Sequence, residues 1–264
     1  MSKKSLVSII VNCHNGEKYL ENCLKSIFSQ THKDWEIIFW DNFSTDNSKK
    51  ILEKFSDKRI KYFHANKFTS LYEARNLAIE KAEGEYISFL DTDDLWINDK
   101  IEKQIHFLQK NKQFKIVYSN YYVLEENKNK KYIQHKKSLP SGSITQKLLD
   151  YYSLGILTVF LETSLFQKYK FKKNYNVIGD FDFFINLSEN FEIASIQEPL
   201  AFYRVHDSNF SRKEIKIYIR ELTEWIQENN EKMARNGFSL KKQKFFLTKL
   251  KVKSLIKRFY PFFN

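Results

Sequence analysis

Hydrophobic residues in the first half of the chain fall in short runs, separated by stretches where they recur at helical spacing. Leu6 to Val11, Trp35 to Trp40 and Tyr86 to Leu90 are near-continuous apolar runs of strand length, as expected for strands covered on both faces. Between the first two, Tyr19, Leu20, Cys23, Leu24, Ile27 and Phe28 lie three or four residues apart and outline one helical face. Ser44 and Asp46 offer capping side chains for a helix through Phe55. Ile60 to Phe63 predicts a third strand and Ser70 to Ala82 a helix stopped at Gly84. Ile101, Ile105 and Leu108 mark a further helix, and Lys115 to Leu124 the strand after it. This alternation predicts an α/β fold with a mostly parallel, Rossmann-like central sheet flanked by helices.

The second half is less regular. Glu125 to Lys131 reads as a hairpin tip, Gly155 to Leu161 as an apolar strand, and Gly179 to about Asn190 as a helix. Ile193 to Ile196 and Leu200 to Val205 read as strands on either side of Pro199, and helices over 214–235 and 240–259 close the chain. The expected organisation is a domain over 1–210, split into a nucleotide-binding half (1–121) and an acceptor-binding half (122–210). A basic helical extension over 211–264 follows it.

Composition narrows the class. At 42% hydrophobic residues over 264 the chain can bury a large core, and 24 phenylalanines with 15 tyrosines make that core unusually aromatic. Cys13 and Cys23 have no metal-site spacing and are expected to be reduced, in a cytoplasmic protein. The apolar run at the start ends at Asn12, and no stretch approaches the roughly 18 apolar residues of a membrane span. The formal charge is +12, and eight of the positive residues lie in Leu240 to Asn264 without an acidic one, so the preceding chain carries +4.

In an open α/β sheet, ligands bind beyond the carboxyl ends of the strands. Those ends are polar here: Asn12-Cys13-His14-Asn15, Asp41-Asn42 and Asp91-Thr92-Asp93-Asp94. A glycine-rich phosphate loop is excluded, because the chain has only 6 glycines and the closest two in sequence are Gly142 and Gly155. A diphosphate then has to be held through a carboxylate-bound Mg2+ or Mn2+, the ions that suit hard oxygen ligands. In an extended segment Asp91 and Asp93 would point the same way, toward one cation.

In order along the chain, Val7-Ser8-Ile9-Ile10-Val11-Asn12-Cys13-His14-Asn15-Gly16-Glu17, Trp40-Asp41-Asn42-Phe43-Ser44-Thr45-Asp46, Ala74-Arg75-Asn76 and Phe89-Leu90-Asp91-Thr92-Asp93-Asp94 form a set. It resembles the opening of family 2 glycosyltransferases with the GT-A fold. Ile178-Gly179-Asp180-Phe181-Asp182 and Tyr203-Arg204-Val205-His206 resemble shorter, later motifs. The resemblance implies inverting transfer from a UDP- or dTDP-type nucleotide sugar to a hydroxyl of a glycan or glycoconjugate, in cell-surface polysaccharide synthesis. It implies that Asp41 contacts the base, that Arg75 lies near base or diphosphate, and that Asp91 and Asp93 hold ribose and metal. Asn12, His14, Asn15, Glu17 and Thr92 would complete the nucleotide side, and Asp180 would be the catalytic base. The family commonly has proline and tyrosine where this chain has Asn12 and His14, and often Glu-Asp where it has Gly179-Asp180.

Several readings stay open at this level. If residues 181 onward are helical, Asp180 and Asp182 lie about 200° apart and cannot both face the cleft, which makes Asp182 a first-turn acid complementing the helix dipole. His206 is either a metal ligand or a structural histidine. The basic tail, ending in the aromatic run 259–263, is either a membrane-surface anchor at the inner face of the cell membrane or a helix docked on the core. Nucleic acid is not an expected partner, because the positive charge sits in the tail and the cleft is acidic. A catalytically inactive binding module and a metal-dependent nucleotidyltransferase are the alternatives to a glycosyltransferase.

Overall fold

The computed structural model describes residues 5–207, 209 and 214–259, with the side chains of 257–259 excluded. The elements run β1 (Val7–Cys13), α1 (Glu17–Phe28), β2 (Trp35–Asp41), α2 (Ser48–Glu53), β3 (Ile60–His64), α3 (Leu71–Ile79) and β4 (Tyr86–Phe89). There follow β5 (Leu95–Trp96), α4 (Lys100–Lys110), β6 (Ile116–Glu125), β7 (Lys130–Ile133), α5 (Thr145–Asp150), β8 (Phe160–Glu162), α6 (Gly179–Ser188) and β9 (Ile193–Val205). Two long helices, α7 (Ile215–Arg235) and α8 (Lys241–Phe259), come last.

All strands join one mixed sheet in the order β3-β2-β1-β4-β8-β6-β9-β5, with β7 paired to β6. The first four of these are parallel, β8 runs antiparallel to both neighbours, and β6 and β9 are parallel. Every residue of β1 and β2 is buried, which is why these segments read as unbroken apolar runs. Alternate residues serve opposite faces: Val7, Ile9, Val11, Ile37 and Phe39 pack under α1, α2 and α4, while Ile10, Ile38 and Trp40 join the core with α3, α5 and α6. That second core also takes in Leu222, Trp225 and Met233 of α7 and Leu247 of α8, so the C-terminal helices share it with the sheet.

Three local expectations change. The segment from Gly155 is not a strand until Phe160; Ile156–Thr158 form a tight 3-10 turn instead. Side chains satisfy its backbone, Trp96 Nε1 donating to Leu157 O and Gln104 Nε2 to Thr158 O at 2.8 and 2.7 Å, so no partner strand is needed. Pro199 does not divide β9, because the register against β6 slips around Asn120 and then resumes. Ser44 does not cap α2: Asp46 Oδ1 accepts from Ser48 N at 3.0 Å, and the Ser44 hydroxyl accepts from Asn15 N at 3.0 Å.

Candidate active site

The acidic stretch after β4 is a turn, closed by Asp94 N donating to Asp91 O at 3.1 Å. Its residues therefore do not alternate as in an extended chain, and each carboxylate finds its own partner. Asp91 takes Arg75 from α3, whose Nη2 lies 2.8 Å from both carboxylate oxygens. Asp93 Oδ2 lies 2.9 Å from His206 Nε2 and accepts from Asn209 Nδ2 at 3.2 Å. Asp94 is buried and accepts from the backbone N–H of Arg204 at 2.9 Å, while Arg204 Nε donates to Asp93 O at 2.9 Å.

What brings the end of β9 to this turn is β5, only two residues long, which pairs Leu95 with Phe202 and Trp96 with Ala201. An element so short carries no periodic signal, so the sequence could not place Arg204, His206 and Asn209 beside Asp93. Tyr19 of α1 completes this corner, its ring 4.9 Å from that of His206 and its hydroxyl donating to Glu126 Oε2 at 2.6 Å.

Asn12, Arg75, Asp91, Thr92, Asp93, Asp94 and Asp180 line one open cavity of about 420 Å³, together with Tyr121, Tyr152, Tyr203 and Asn209. The remaining candidates at the first two strand ends have other engagements. Asn15, with φ 54°, accepts through Oδ1 from Thr45 N at 2.8 Å. Glu17 accepts from Asn47 N at 2.9 Å, and Asp46 in return accepts from Glu17 N at 2.9 Å. Asp41 is buried, receiving Tyr62 Oη at 2.9 Å and Ser44 N at 2.8 Å. His14 Nδ1 lies 3.0 Å from Asn42 O, and its ring packs 4.5 Å from that of the exposed Phe68.

Asp180 reaches the same cavity from the first turn of α6. Its Oδ1 accepts from Phe181 N at 2.8 Å and from Tyr72 Oη at 3.3 Å. Burial pushes this carboxyl above the usual range, against a smaller opposing pull from the Arg75 charge and from these hydrogen bonds. Asp182 is turned away from the cavity, accepting Trp225 Nε1 at 2.9 Å inside the core. Gly179 explains the departure at the motif's first position: the Tyr72 ring lies where a Cβ would stand. Gly179→Ala is expected to lose about 1–3 kcal/mol by overpacking, visible as a lower urea midpoint with an unchanged slope.

Sequence reasoning misses two residues that hold Asp180 in place. Tyr72 reads as a core aromatic on α3, and Glu221 as a surface acid on an amphipathic helix. Glu221 is buried, and its carboxylate accepts from Asn176 N at 2.8 Å, Val177 N at 2.9 Å and Ile178 N at 3.2 Å. These are the unsatisfied amides just before α6, which has no side-chain cap of its own.

Among the described residues no three Asp, Glu, His or Cys side chains form a preformed metal cage. The donor chemistry still suits a hard cation that draws its other ligands from phosphate oxygens and water. Asp91 and Asp93 present side chains 33% and 25% exposed at the cavity wall, so both can be reached. Burial, and after it repulsion from the neighbouring carboxylates, raises Asp93 and pushes Asp94 well up. Such crowding of negative charge favours a bound cation.

Residues 8–182 match the model of glycosyl transferase family 2. The Escherichia coli UDP-Glc:alpha-D-GlcNAc-diphosphoundecaprenol beta-1,3-glucosyltransferase WfgD is 33% identical over 219 residues, covering 82% of this chain and 83% of that protein. The putative teichuronic acid biosynthesis glycosyltransferase TuaG of Bacillus subtilis is 29% identical over 218 residues, covering 81% and 84%. Among solved structures, S. aureus TarS 1-349 in complex with UDP-GlcNAc superposes with a TM-score of 0.66 at 18% identity, over 83% of this chain and 66% of that one. The mannosyltransferase PcManGT of Pyrobaculum calidifontis, in complex with GDP-Man and Mn2+, gives 0.64 at 13% identity, over 98% and 76%. The fold is that of the GT-A glycosyltransferases, and the chain belongs to glycosyl transferase family 2.

Proposed function

We propose that this chain transfers a sugar, with inversion, from a UDP- or dTDP-type donor to a hydroxyl of a lipid-linked glycan in cell-surface polysaccharide synthesis. The observation that carries the reading is that Asp180 and the Asp91–Asp94 turn line one cavity. A carboxylate raised by burial shares that cavity with a cluster of acids and Arg75, whose charge reaches both Asp91 and Asp180. Asp180 is placed to take the proton of an acceptor hydroxyl as its oxygen attacks the anomeric carbon. The bond from that carbon to the diphosphate breaks on the far side, and no covalent sugar-enzyme intermediate is required.

We assign the diphosphate to Arg75, whose guanidinium is held by Asp91. Asp93 is the first residue to which we assign Mn2+ or Mg2+, with Asp91 and His206 flanking it; bound there, the ion supplies neutralisation of the charge on the departing diphosphate. Asn12 and Thr92 line the same cavity, and we assign them to the nucleotide. The relative WfgD, named for a diphosphoundecaprenol acceptor, supports a lipid-linked substrate, and with it work at the inner face of the cell membrane. Among the described residues no helix is long and apolar enough to cross a membrane.

A thermal-shift panel of nucleotide sugars with and without Mn2+ tests the donor side. At least one UDP- or dTDP-sugar is expected to raise Tm in a metal-dependent way. At a concentration one hundred times Kd the gain corresponds to about 2.7 kcal/mol. Asp93→Asn is expected to abolish the metal-dependent part. A flat response across the panel refutes the proposal.

A further inference from the structure

A second cavity, of about 460 Å³, opens on the other side of Asp180, between the start of α6, the end of α5 and the two C-terminal helices. It shares Tyr152, Val177 and Asp180 with the first cavity, so the two meet at the proposed base. Its walls are aromatic: Tyr152 and Phe181 pack edge to face at 5.3 Å, and Tyr218 and Phe246 at 5.8 Å. Phe246 is 38% exposed toward it. Flat rings of this kind match the apolar faces of a pyranose.

The hydroxyl of Tyr152 is shut off from solvent and has no hydrogen-bond partner among the described residues. A buried hydroxyl without a partner is destabilising, and a ligand hydroxyl would relieve it. Tyr152 is thus an unused hydrogen-bonding group beside the atom that is to receive the acceptor's proton.

The outer surface of α8 continues the pattern. With about 100° per residue, Phe246 faces the cavity, while Lys242, Lys249 and Lys253 form a row next to it. Beyond that row, Phe245, Val252 and Ile256 line up at intervals of seven and four. The three lysines are exposed, and the three apolar side chains are 59%, 50% and 51% exposed. The first half of α8 is docked on the core, with Leu247 and Gln243 buried, and the helix carries an exposed apolar and basic edge.

Resting on the proposed glycosyltransfer, we infer that the second cavity is the acceptor site and that it takes a sugar diphosphate carrying a lipid chain. The pyranose fills the aromatic cavity, with its reactive hydroxyl between Tyr152 and Asp180. The diphosphate lies on the lysine row, where two negative charges meet ammonium groups. The hydrocarbon follows the stripe through Phe245, Val252 and Ile256. One helix thereby presents, in order, surfaces for the three chemical parts of a single molecule.

The probe is a synthetic N-acetylglucosaminyl-α-diphosphate with a short alkyl chain, compared with the alkyl glycoside lacking the diphosphate. The donor is the nucleotide sugar that stabilises the wild-type protein in the presence of Mn2+. Wild type is expected to favour the diphosphate probe at least tenfold in kcat/KM, and Lys242→Ala to lose most of that preference. Phe246→Ala should raise KM for the probe at least tenfold while KM for the donor stays within twofold. Tyr152→Phe should lower kcat/KM for the acceptor about fivefold without lowering Tm, since no protein partner is lost. No transfer to the probe by a protein that binds its donor, or unchanged acceptor KM in Phe246→Ala and Lys242→Ala, overturns the assignment. Failure of wild type to bind any nucleotide sugar instead overturns the proposed function itself.

Discussion

Asp180→Asn is expected to reduce sugar transfer by roughly a hundred- to ten-thousand-fold, in kcat rather than in KM for the donor. Asparagine keeps the size of the side chain and an oxygen to accept from Phe181 N, which Asp180 Oδ1 does at 2.8 Å, but it cannot take a proton. Stability should move the other way. Burial disfavours the charged form of Asp180, so the neutral amide is expected to melt no lower than wild type at pH 7.5. Metal-dependent UDP binding, measured by calorimetry, should persist. A variant that transfers sugar at the wild-type rate removes Asp180 from the role of base.

With Asp180 as the proposed base, the same carboxyl is expected to set the acid limb of the pH profile. A base works when deprotonated, so a pKa raised by burial moves the loss of activity at low pH above the ordinary carboxylate range. Tyr72 donates to Asp180 Oδ1 at 3.3 Å and lowers that pKa. Tyr72→Phe is therefore expected to shift the acid limb of kcat to still higher pH. A limb that stays in place or moves down contradicts the assignment.

Glu221→Ala is expected to be the most destabilising substitution in the site's support. It leaves the amides of Asn176, Val177 and Ile178 without their acceptor, inside a well-packed part of the core. The loss is on the order of 3 kcal/mol or more. Glu221→Gln keeps one good acceptor oxygen and should lose about 1 kcal/mol. Urea unfolding of the three proteins measures the order wild type, Gln, Ala. Because these amides lead directly into the helix bearing Asp180, the glutamine variant should also lose kcat while binding donor normally. A Glu221→Ala protein as stable as wild type would show that the amides find other partners.

The strand-end motifs were legible because each is local. Unbroken apolar runs at β1, β2 and β4 declared strands covered on both faces, and polar residues directly after them marked the carboxyl edge where ligands bind. The lack of clustered glycines excluded a phosphate loop, and the ordered motifs carried the family. The same locality failed where a residue's use depends on distant chain. Asp91 and Asp93 were expected to point together along an extended segment, whereas the turn closed by Asp94 N sends one to Arg75 and the other to His206. Asn15 and Glu17, candidates for the nucleotide, are engaged by the loop over 44–47.

What the sequence by itself determined was the layered α/β plan, the polar strand ends and the family, since hydrophobic period and motif order are properties of neighbouring residues. Only the tertiary structure decided how Asp180 is held and what surrounds it. Glu221 caps α6 from a helix some 40 residues further along, β5 delivers His206 and Asn209 with two paired residues, and Tyr72 forbids a side chain at position 179. None of these has a local signature, because a carboxylate satisfies a helix end, or a ring fills a gap, equally well from any part of the chain that packing brings within reach.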